Sequence, residues 1–472
     1  MFVGRKQEIE IIEQAIQSSK AELGIVYGRR RVGKSTLLEY FTKTVPSFTF
    51  EGLEKGTTKV QIAHFVSQLA KQTNTLPVKA ITWEDAFDTF TKYISKGRHY
   101  IIFDEFPWMA NEQTKLIALL KFYWDRYWKK NPDITLILCG SIANFMVKHL
   151  VHSRALHNRK TFEMKIDPLP AFEAKQFFQN YRSTFEVSKF LMIFGGVPKY
   201  LEQLDPKKSL TLNLDRLCFQ KNGFFVKEFE TLFKEQFKVV RNYENIVEIL
   251  AKGSLSKEKL AQIVQIDSGG GLKYYLDQLE RADFIKSFQS FSFNKNSRSK
   301  TKKYVLWDEW LRFYFNYMQP NIQIIESNNR PGGFENFVSN SFDTYLGLAF
   351  ERFCFKNIYS IFDALDISHF NVVNYGPFFK QGSRKSSSKS SGLQIDILIE
   401  QKGAILTLIE CKFSVNPIGP TIIQEIEKKI HLLQAPKKYT IEKVLICANG
   451  VSSSLRKENY FHKILELDSI LG

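Results

Sequence analysis

The sequence predicts an α/β protein of several domains, and three observations support that prediction. The chain has 472 residues, more than one hydrophobic core usually organises. Apolar strand-like runs alternate with helix-like stretches in the first third of the chain and again in residues 392–472. The intervening residues 243–288 resemble helices separated by breaks that contain glycine. The predicted domains are residues 1–165, 166–238, 239–325 and 335–472.

The composition is that of a folded protein without a membrane segment. Hydrophobic residues make up 44% and aromatic residues 14% of the chain, which is ample for buried cores. No apolar run reaches the roughly 20 residues of a membrane-spanning helix, and the N-terminal stretch lacks the apolar segment of a signal peptide. The cysteines are isolated, so free thiols in a reducing, cytoplasmic compartment are expected. They are Cys139, Cys218, Cys354, Cys411 and Cys447.

The net charge is strongly positive. Formal charge is +17 at pH 7 and the isoelectric point is about 9.4. Such a balance favours polyanionic partners, above all nucleic acid. Some ordinary enzymes are equally basic, so the net charge alone does not show whether the protein binds nucleic acid.

Residues 25–41, IVYGRRRVGKSTLLEYF, read as strand, loop and helix, and the loop fits the pattern G-x-x-x-x-G-K-[ST]. Glycines let backbone N–H groups wrap around a phosphate, and the positive end of the following helix faces the same anion. Lys34 is expected to reach the β- and γ-phosphates and Ser35 to bind Mg²⁺. The pattern therefore predicts a site for ATP and Mg²⁺. Its predicted residues are Gly28, Arg29, Arg30, Arg31, Val32, Gly33, Lys34, Ser35 and Thr36.

Two further apolar runs end in polar residues that would complete this site. Residues 97–109 contain the acidic pair Asp104–Glu105 after an apolar strand. In P-loop enzymes an Asp at this place holds Mg²⁺, and an adjacent Glu can polarise the attacking water. Residues 133–146 contain a buried strand that ends at Ser141, which could contact the γ-phosphate, although a turn serine looks the same. Asp104 is thus a predicted metal ligand, Glu105 a catalytic residue and Ser141 a nucleotide contact.

These motifs carry a resemblance. Residues 1–235 are similar to AAA+ ATPases, in particular to the archaeal and bacterial family whose members often bear a C-terminal nuclease-like domain. The segments FVGRKQEIE, GRRRVGKST, IIFDE and LCGS resemble that family's N-terminal, phosphate-binding, acidic and sensor motifs, and GGVPKYL resembles its lid. The resemblance implies ATP hydrolysis, a helical lid and a homo-oligomer. It also implies that Arg159 is an arginine finger, although this chain has Asn-Arg where the family more often has Gly-Arg. A solvated surface arginine is the alternative for Arg159.

The pattern of residues 243–288 predicts a helix, a break at Gly253, a short helix, a turn with Gly269–Gly271 and a longer helix. A basic stretch follows, and this order resembles a winged helix, a helix-turn-helix with a β wing. Ser256 is the predicted N-cap of the short helix. Residues 294–303 hold five basic residues and no acid, which suits contact with phosphates. Many winged helices bind only protein, so a protein partner is the alternative. The basic residues are Lys295, Arg298, Lys300, Lys302 and Lys303.

Residues 392–414, GLQIDILIEQKGAILTLIECKFS, read as a β-hairpin whose two apolar strands each carry a carboxylate, Asp396 and Glu410. Residues two apart on a strand share a face, so Glu410 and Lys412 point the same way. Two carboxylates about 4 Å apart repel by about 4 kcal/mol at an effective dielectric constant of 20, and Lys412 offsets only part of this. A cation that prefers oxygen ligands, Mg²⁺ or Mn²⁺, would offset the rest.

This spacing resembles the PD-(D/E)xK motif of restriction-endonuclease-like domains, over roughly residues 340–472. The resemblance implies that Asp396 and Glu410 hold a catalytic metal, that Lys412 helps to activate water, and that Glu351 on the preceding helix is a further metal ligand. Similar domains have lost cleavage and kept DNA binding. A Glu–Lys pair on a hairpin is also a common structural feature, so both alternatives stay open.

Two other features of the C-terminal part fit this interpretation. Residues 378–392 form a Ser- and Lys-rich segment without acids, which predicts a loop near a phosphate backbone. Gln424 resembles a further polar position of some nuclease-like domains. The sequence thus favours an ATPase that acts on DNA, with metal-dependent cleavage by the C-terminal domain. The alternative is a regulatory NTPase whose later domains only bind DNA or protein, and a third hypothesis is a motor that remodels a protein partner.

Overall fold

The computed structural model describes residues 2–111, 114–141, 143–179, 181–237, 240–266, 270–289, 302–380 and 392–472. Contacts within the chain group them into two compact units. The first unit holds Met1–Leu169 and Val197–Lys199, and the second holds Pro170–Gly196 and Tyr200–Gly472. The four predicted domains are a finer division than this and stay a prediction.

The first unit is built on a five-stranded sheet in which every paired strand is parallel. Its strands are β1 (Glu22–Tyr27), β2 (Ser47–Glu51), β3 (His99–Asp104), β4 (Ile134–Gly140) and β5 (Phe162–Lys165). The order across the sheet is β2-β3-β4-β1-β5. Every residue of β4 is buried, because helices cover both faces of a parallel sheet and the strands then read as continuous apolar runs. The carboxyl ends of β1, β3 and β4 therefore lie side by side at one edge.

Helices pack on both faces of this sheet. They are α1 (Lys6–Ile16), α2 (Lys34–Thr42), α3 (Thr58–Thr73), α4 (Trp83–Ile94), α5 (Phe106–Met109), α6 (Lys115–Arg126) and α7 (Ala143–Phe145). One core contains the aromatic side chains of Phe50, Phe65, Phe87 and Phe103, and a second core joins α1 and α2 to the opposite face. Each helix thus buries one apolar face, which is why the sequence shows helical periodicity between the strands.

The second unit begins with helices alone. They are α8 (Ala171–Ala174), α9 (Thr184–Phe194), α11 (Leu210–Cys218) and α12 (Glu228–Gln236), while α10 (Pro198–Leu201) begins in the first unit and ends in the second. Ser183 and Ser209 cap α9 and α11 by accepting hydrogen bonds from backbone N–H groups of the first turn, which is the usual role of serine at this position.

A small three-stranded antiparallel sheet follows, with helices beside it. The elements are α13 (Val240–Ala251), β6 (Leu255–Ser256), α14 (Lys257–Val264), α15 (Gly270–Arg281), β7 (Ile285–Gln289) and β8 (Lys302–Leu306), and the strand order is β6-β8-β7. The predicted cap is confirmed, because Ser256 Oγ accepts a hydrogen bond from Lys259 N. Gly271 lies inside α15 and not in the turn before it. Lys302 and Lys303 begin β8, whereas Lys295, Arg298 and Lys300 fall outside the described residues.

The rest of the second unit surrounds a five-stranded mixed sheet. Its helices are α16 (Glu309–Phe313), α17 (Ile322–Ser327), α18 (Gly333–Phe337), α19 (Phe342–Lys356), α20 (Ile358–Ala364), α21 (Thr421–Leu433), α22 (Ser453–Lys457) and α23 (Asp468–Leu471). Its strands are β9 (Val372–Lys380), β10 (Leu393–Gln401), β11 (Ile405–Lys412), β12 (Thr440–Cys447) and β13 (Lys463–Glu466). The order is β13-β12-β11-β10-β9, with β9, β10 and β11 antiparallel and β11, β12 and β13 parallel.

Two helices position the polar residues of this sheet. Helix α19 packs on β11, and α21 packs on β10 through the buried Ile422 and Ile426.

The loop predicted at residues 378–392 is split, because residues 378–380 end β9 and residues 381–391 lie outside the described part of the chain. All five cysteines are buried free thiols. None of the helices in the described part of the chain combines the length and the apolarity needed to cross a membrane.

Candidate nucleotide site and candidate acid–lysine cluster

Two glycines shape the loop that joins β1 to α2. Gly33 precedes the first residue of α2 and has a φ of 85°, in the left-handed region that glycine adopts without strain. At Gly28 an added Cβ would lie 2.3 Å from Ile166 O, so a side chain does not fit there. Lys34 Nζ donates to the carbonyl oxygens of Gly28 and Arg29, at 3.0 Å each. The loop therefore curls around the lysine ammonium, which is the geometry of a phosphate-binding loop.

Two flanking segments hold the carbonyl groups of this loop. Arg5, in the N-terminal motif, is buried and donates from Nη2 to Val32 O at 2.8 Å, while its Nη1 pairs with Glu8 at 2.9 Å. Lys199 N, in the lid-like motif, donates to Arg31 O at 3.4 Å. Both motifs were predicted from the sequence, but Arg5 was not among the predicted site residues. An arginine next to a glycine in the first five residues was the only signal for it.

The predicted polar residues at the sheet edge form one connected row. Ser35 Oγ donates to Asp104 Oδ2 at 2.6 Å, and Glu105 N donates to Asp104 Oδ1 at 2.8 Å. Ser141 donates to Glu105 Oε2 from its backbone N at 3.2 Å and from its Oγ at 2.9 Å. Glu105 has a φ of 44°, an uncommon conformation for a residue with a side chain and one that functional sites often retain. The structure thus brings all four residues together, and Ser141 contacts the glutamate.

The other predicted loop residues have distinct surroundings. The Arg29 side chain is 1% exposed, and Val32 belongs to the core that α2 shares with the sheet. The Arg30 guanidinium lies 5.0 Å from the ring centroid of Trp108. Thr36 is exposed in the first turn of α2.

Arg159 forms none of the hydrogen bonds of this row and is paired within its own chain. Its Nε donates to both carboxylate oxygens of Asp125, at 2.9 and 3.0 Å, and its Nη2 donates to Oδ2 at 2.8 Å. Its Nη1 donates to Ala155 O at 3.0 Å. Hydrogen bonding from Arg159 lowers the pKa of Asp125. The predicted finger role stays a prediction, and the guanidinium would have to leave Asp125 to serve a neighbouring subunit.

In the second unit, the hairpin of β10 and β11 brings its two acids together. Ile397 pairs with Ile409, and extending this register by one residue puts Asp396 opposite Glu410. Asp396 is 9% exposed and Glu410 is 1% exposed. Cys411 N donates to Asp396 Oδ2 at 2.9 Å. Two acids thus occupy neighbouring positions on one sheet face with almost no access to water.

Two lysines neutralise the more buried acid. Lys429 Nζ, from α21, donates to Glu410 Oε1 at 2.7 Å and to Oε2 at 2.6 Å. Lys412 Nζ lies 3.0 Å from Glu410 Oε1 and 3.0 Å from Glu425 Oε1. Lys429 Nζ is also 3.4 Å from Glu425 Oε1. Asp396, Glu410, Lys412, Glu425 and Lys429 are called the acid–lysine cluster below.

Two residues that contact Glu410 and Lys412 were not predicted from the sequence. Gln424 was the predicted polar residue on α21, but the neighbouring Glu425 and the residue one turn later, Lys429, make the contacts. A glutamate and a lysine four residues apart look like a solvated helix face. Only the packing of α21 against β10 shows that this face is turned toward the sheet.

The three acids predicted as metal ligands are not arranged as one ligand set. Among the described residues, no group of three or more His, Cys, Asp or Glu side chains is placed to hold a metal ion. Both oxygens of Glu410 face Lys429, and Glu351 Oε2 accepts instead from Gln394 Nε2 at 3.3 Å. Glu351 still acts on the cluster electrostatically, because its charge raises the pKa of Asp396. The metal-binding role of these three acids stays a prediction, and the described side chains do not form one ligand set in this structure.

Burial makes both acids of the hairpin unusually weak. It raises the pKa of Asp396 to about 6, with a further contribution from Glu351. It also raises the pKa of Glu410 to about 7, and the charge of Asp396 adds to this despite the nearby lysines. Burial lowers the pKa of Lys412, but Glu410 and Glu425 outweigh that and raise it to about 12. The cluster therefore holds lysines that stay charged beside acids that exchange protons near neutral pH.

Comparison with known proteins supports an ATPase domain in the first unit. Residues 2–204 match a family described as an ATPase domain predominantly from Archaea, and residues 314–426 match a family of archaeal and bacterial proteins of unknown function. An uncharacterised protein of Methanocaldococcus jannaschii is 28% identical over 356 residues, 75% of this chain and 76% of the relative. An uncharacterised ATP-binding protein of the same organism is 54% identical over 41 residues, 9% of this chain and 70% of the relative.

Among solved structures, a Walker-type ATPase of Pyrococcus abyssi is similar with a TM-score of 0.47 and 19% identity, over 66% of this chain and 96% of that one. The family match covers the parallel sheet, the phosphate-binding loop and the row from Ser35 to Ser141. The protein is an ATPase, and its residues 2–204 match the family of ATPase domains found predominantly in Archaea.

Proposed function

We propose that ATP binding and hydrolysis by the first unit control the action of the second unit on DNA, and that the second unit cleaves phosphodiester bonds with a divalent metal. The observation that carries the proposal is the pair Asp396 and Glu410. The two acids are buried opposite each other on antiparallel strands, with Lys412 bound to Glu410. A fold does not usually tolerate two buried carboxylates without a function that needs them.

In the ATPase unit, Ser35 and Asp104 are the proposed ligands of a nucleotide-bound Mg²⁺. Their oxygens are already 2.6 Å apart, and both are hard donors of the kind that Mg²⁺ prefers. Glu105 is the proposed residue that orients the attacking water. Ser141 donates two hydrogen bonds to Glu105 and so positions it. In this proposal Ser141 therefore acts through the catalytic acid and does not contact the nucleotide itself.

The donor set of the acid–lysine cluster fits a divalent cation. Asp396 and Glu410 offer carboxylate oxygens, which suit Mg²⁺ or Mn²⁺, and burial raises the pKa of both acids despite the nearby lysines. Both oxygens of Glu410 are bonded to the Lys429 ammonium, so that lysine stands where a cation would bind. A bound cation would supply a water of lowered pKa. Lys412, which is 31% exposed, can reach a substrate phosphate from the solvent side.

DNA is the proposed partner of the second unit. The elements from α13 to β8 follow the order of a winged helix, with β7 and β8 as the wing, and Lys302 and Lys303 start the second wing strand. The net charge of +17 favours a polyanion. We propose phosphate contacts for this wing.

A second candidate function is a nucleotide-controlled switch that binds DNA or protein without cutting. The full pairing of Glu410 by Lys412 and Lys429 favours it, because a charge neutralised in this way needs no metal. In that case the cluster is a structural ion-pair network that fixes α21 to the sheet.

A nicking assay on supercoiled plasmid separates the two candidates. Wild-type protein, Glu410→Gln and the matched control Glu458→Gln, an exposed acid of the same unit, are compared with and without ATP and Mn²⁺. Cleavage by wild type and control but not by Glu410→Gln is expected. Wild-type protein that binds plasmid and never nicks it, at any metal or nucleotide condition, would leave the switch as the function.

A further inference from the structure

The second unit contains a cavity of about 1240 Å³ beside the acid–lysine cluster. One side is a face of α19, on which Tyr345, Glu351, Arg352 and Phe355 recur at helical spacing. Residues of β7, β8, β9 and β10 complete the lining, including Asp396 of the cluster. This α19 cavity exceeds the roughly 300–1,000 Å³ of pockets for small molecules, so it has room for an extended ligand.

The lining carries an excess of positive charge. Five basic side chains face two acidic ones, Glu351 and Asp396. Within the part of the chain that the structure describes, none of the five basic side chains forms an ion pair with a carboxylate. They are Lys252, Lys303, Arg312, Arg352 and Lys380. Because folded proteins rarely leave this many cations in a concave surface without anions, the lining favours an anionic ligand.

Three of the lining residues, Arg312, Tyr345 and Arg352, form a compact group of hydrogen-bond donors, in which Arg312 Nη2 also donates to Leu306 O. The Tyr345 hydroxyl is buried and has no hydrogen-bond partner among the described residues. It interacts electrostatically with both Arg312 and Arg352. Burial, together with the like charge of Arg352, lowers the pKa of Arg312 to about 9. An unpaired hydroxyl beside two partly desolvated guanidinium groups is costly for the folded protein unless an oxyanion binds there.

Aromatic rings accompany these charges. Phe288, Trp307 and Phe379 also line the cavity, and Lys303 Nζ lies 5.3 Å from the ring centroid of Phe379. Alternating cations and aromatic faces are typical of grooves that bind single-stranded nucleic acid, in which the bases stack and the phosphates meet lysine and arginine. A duplex presents phosphates but keeps its base faces inside the helix, so it would leave the aromatic wall without contacts.

We propose that the α19 cavity binds a single DNA strand, with one phosphate on Arg312, Arg352 and Tyr345. This inference rests on the proposed function, because it makes the cavity the substrate site of the cleavage reaction. Arg352 is the next residue after Glu351, whose charge acts on Asp396, so a strand held at Arg352 passes directly beside the acid–lysine cluster. The ligand class is thus a single strand or an unpaired end, in preference to continuous duplex.

Fluorescence anisotropy with the full-length protein tests this binding. The probes are a labelled oligothymidine and a labelled duplex of equal length, titrated at several salt concentrations. Arg352→Gln should weaken oligothymidine binding by about tenfold, as expected for the loss of one charge-assisted phosphate contact. The slope of log affinity against log salt should flatten by about 0.7. Arg456→Gln, an exposed arginine of the same unit outside the cavity, should change neither value.

The variant Tyr345→Phe distinguishes a loss of DNA binding from a loss of stability. Among the residues that the structure describes the hydroxyl has no hydrogen-bond partner, so its removal should leave the melting temperature unchanged while oligothymidine binding weakens severalfold. Equal affinity of wild type, Arg352→Gln and Tyr345→Phe for oligothymidine would overturn the inference, as would tighter binding of duplex than of single strand.

The nicking assay separates this failure from that of the proposed function. Single-strand binding that depends on Arg352 in a protein that cuts no DNA supports the cavity and refutes cleavage. Cleavage that is unaffected by Arg352→Gln, with unchanged oligothymidine affinity, refutes the cavity and leaves the proposed function in place.

Discussion

Lys429 Nζ lies 2.7 and 2.6 Å from the two carboxylate oxygens of Glu410, the more buried acid of the β10–β11 hairpin. The pair ties α21 to β11 by charge at a place with almost no water. Removing one partner of such a pair leaves an uncompensated buried charge, which is far more destabilising than the pair is stabilising. The lysine and a metal ion would therefore compete for the same carboxylate.

The first prediction is that Lys429→Met destabilises the protein and that Mn²⁺ restores part of the loss. Loss of the ammonium should lower the free energy of unfolding of the second unit by about 3–5 kcal/mol. A cation that binds Glu410 replaces the missing charge, so the melting temperature should rise more with Mn²⁺ in the variant than in wild type. Lys428→Met, at the exposed neighbouring position, is the matched control. Identical melting curves for the two variants would contradict the prediction.

The second prediction separates the roles of Asp396 and Lys412. Asp396→Ala should lose metal binding and cleavage together, because an oxygen ligand is removed. Lys412→Ala should lose cleavage and keep metal binding, because both hairpin carboxylates remain. Calorimetric titration with Mn²⁺ and the nicking assay on the same preparations measure this. Equal metal affinity of wild type and Asp396→Ala would remove Asp396 from the metal site.

The third prediction concerns ATP turnover. Lys34→Ala should abolish nucleotide binding, because the ammonium inside the loop is the charge that meets the phosphates. Glu105→Gln should keep binding and lower the turnover number by about 10²–10⁴, the usual contribution of a positioned acid or base. Lys43→Ala, exposed after the last turn of α2, is the control. Wild-type turnover in Glu105→Gln would show that another group orients the water.

The fourth prediction is a pH-dependent contribution of the Arg159–Asp125 pair. Arg159→Gln should lower the free energy of unfolding by about 1–3 kcal/mol at neutral pH, as the loss of bidentate charge-assisted hydrogen bonds implies. The pKa of Asp125 is lowered in the folded state, so this contribution is present above its ordinary value of about 3.9 and disappears as the pH falls through the folded value. Wild type and variant should therefore converge in stability at low pH.

Urea unfolding at neutral and acidic pH measures the difference, with the exposed Arg154→Gln as the control. Unchanged stability together with a large loss of ATP turnover would instead assign Arg159 to the reaction, as an arginine finger.

The arrangement of the candidate nucleotide site could be predicted from the sequence because its parts are local. The loop from Gly28 to Ser35 has a continuous pattern, and Asp104 and Ser141 follow apolar strands whose carboxyl ends must meet in a parallel sheet. The left-handed backbone of Glu105 could not be predicted, because nothing in the residue type favours it.

The acid–lysine cluster shows where such reasoning stops. The pairing of Asp396 with Glu410 follows from the short turn between β10 and β11, which fixes the register within the hairpin. Lys429 and Glu425 come from a helix whose orientation depends on tertiary packing, and a Glu–Lys pair gives no hint of burial. For the same reason Glu351, one helix earlier, was expected in a ligand set that the structure does not form.

All five cysteines are buried, so the accessibility of their thiols reports local unfolding of the protein. Cys139 lies in the first unit, and the other four lie in the second. A thiol reagent cannot reach any of them until the surrounding packing is disrupted, so the rate of labelling measures local unfolding. Mass spectrometry of labelled peptides would then give an opening rate for each unit separately. The same measurement with and without ATP would show which unit the nucleotide makes rigid.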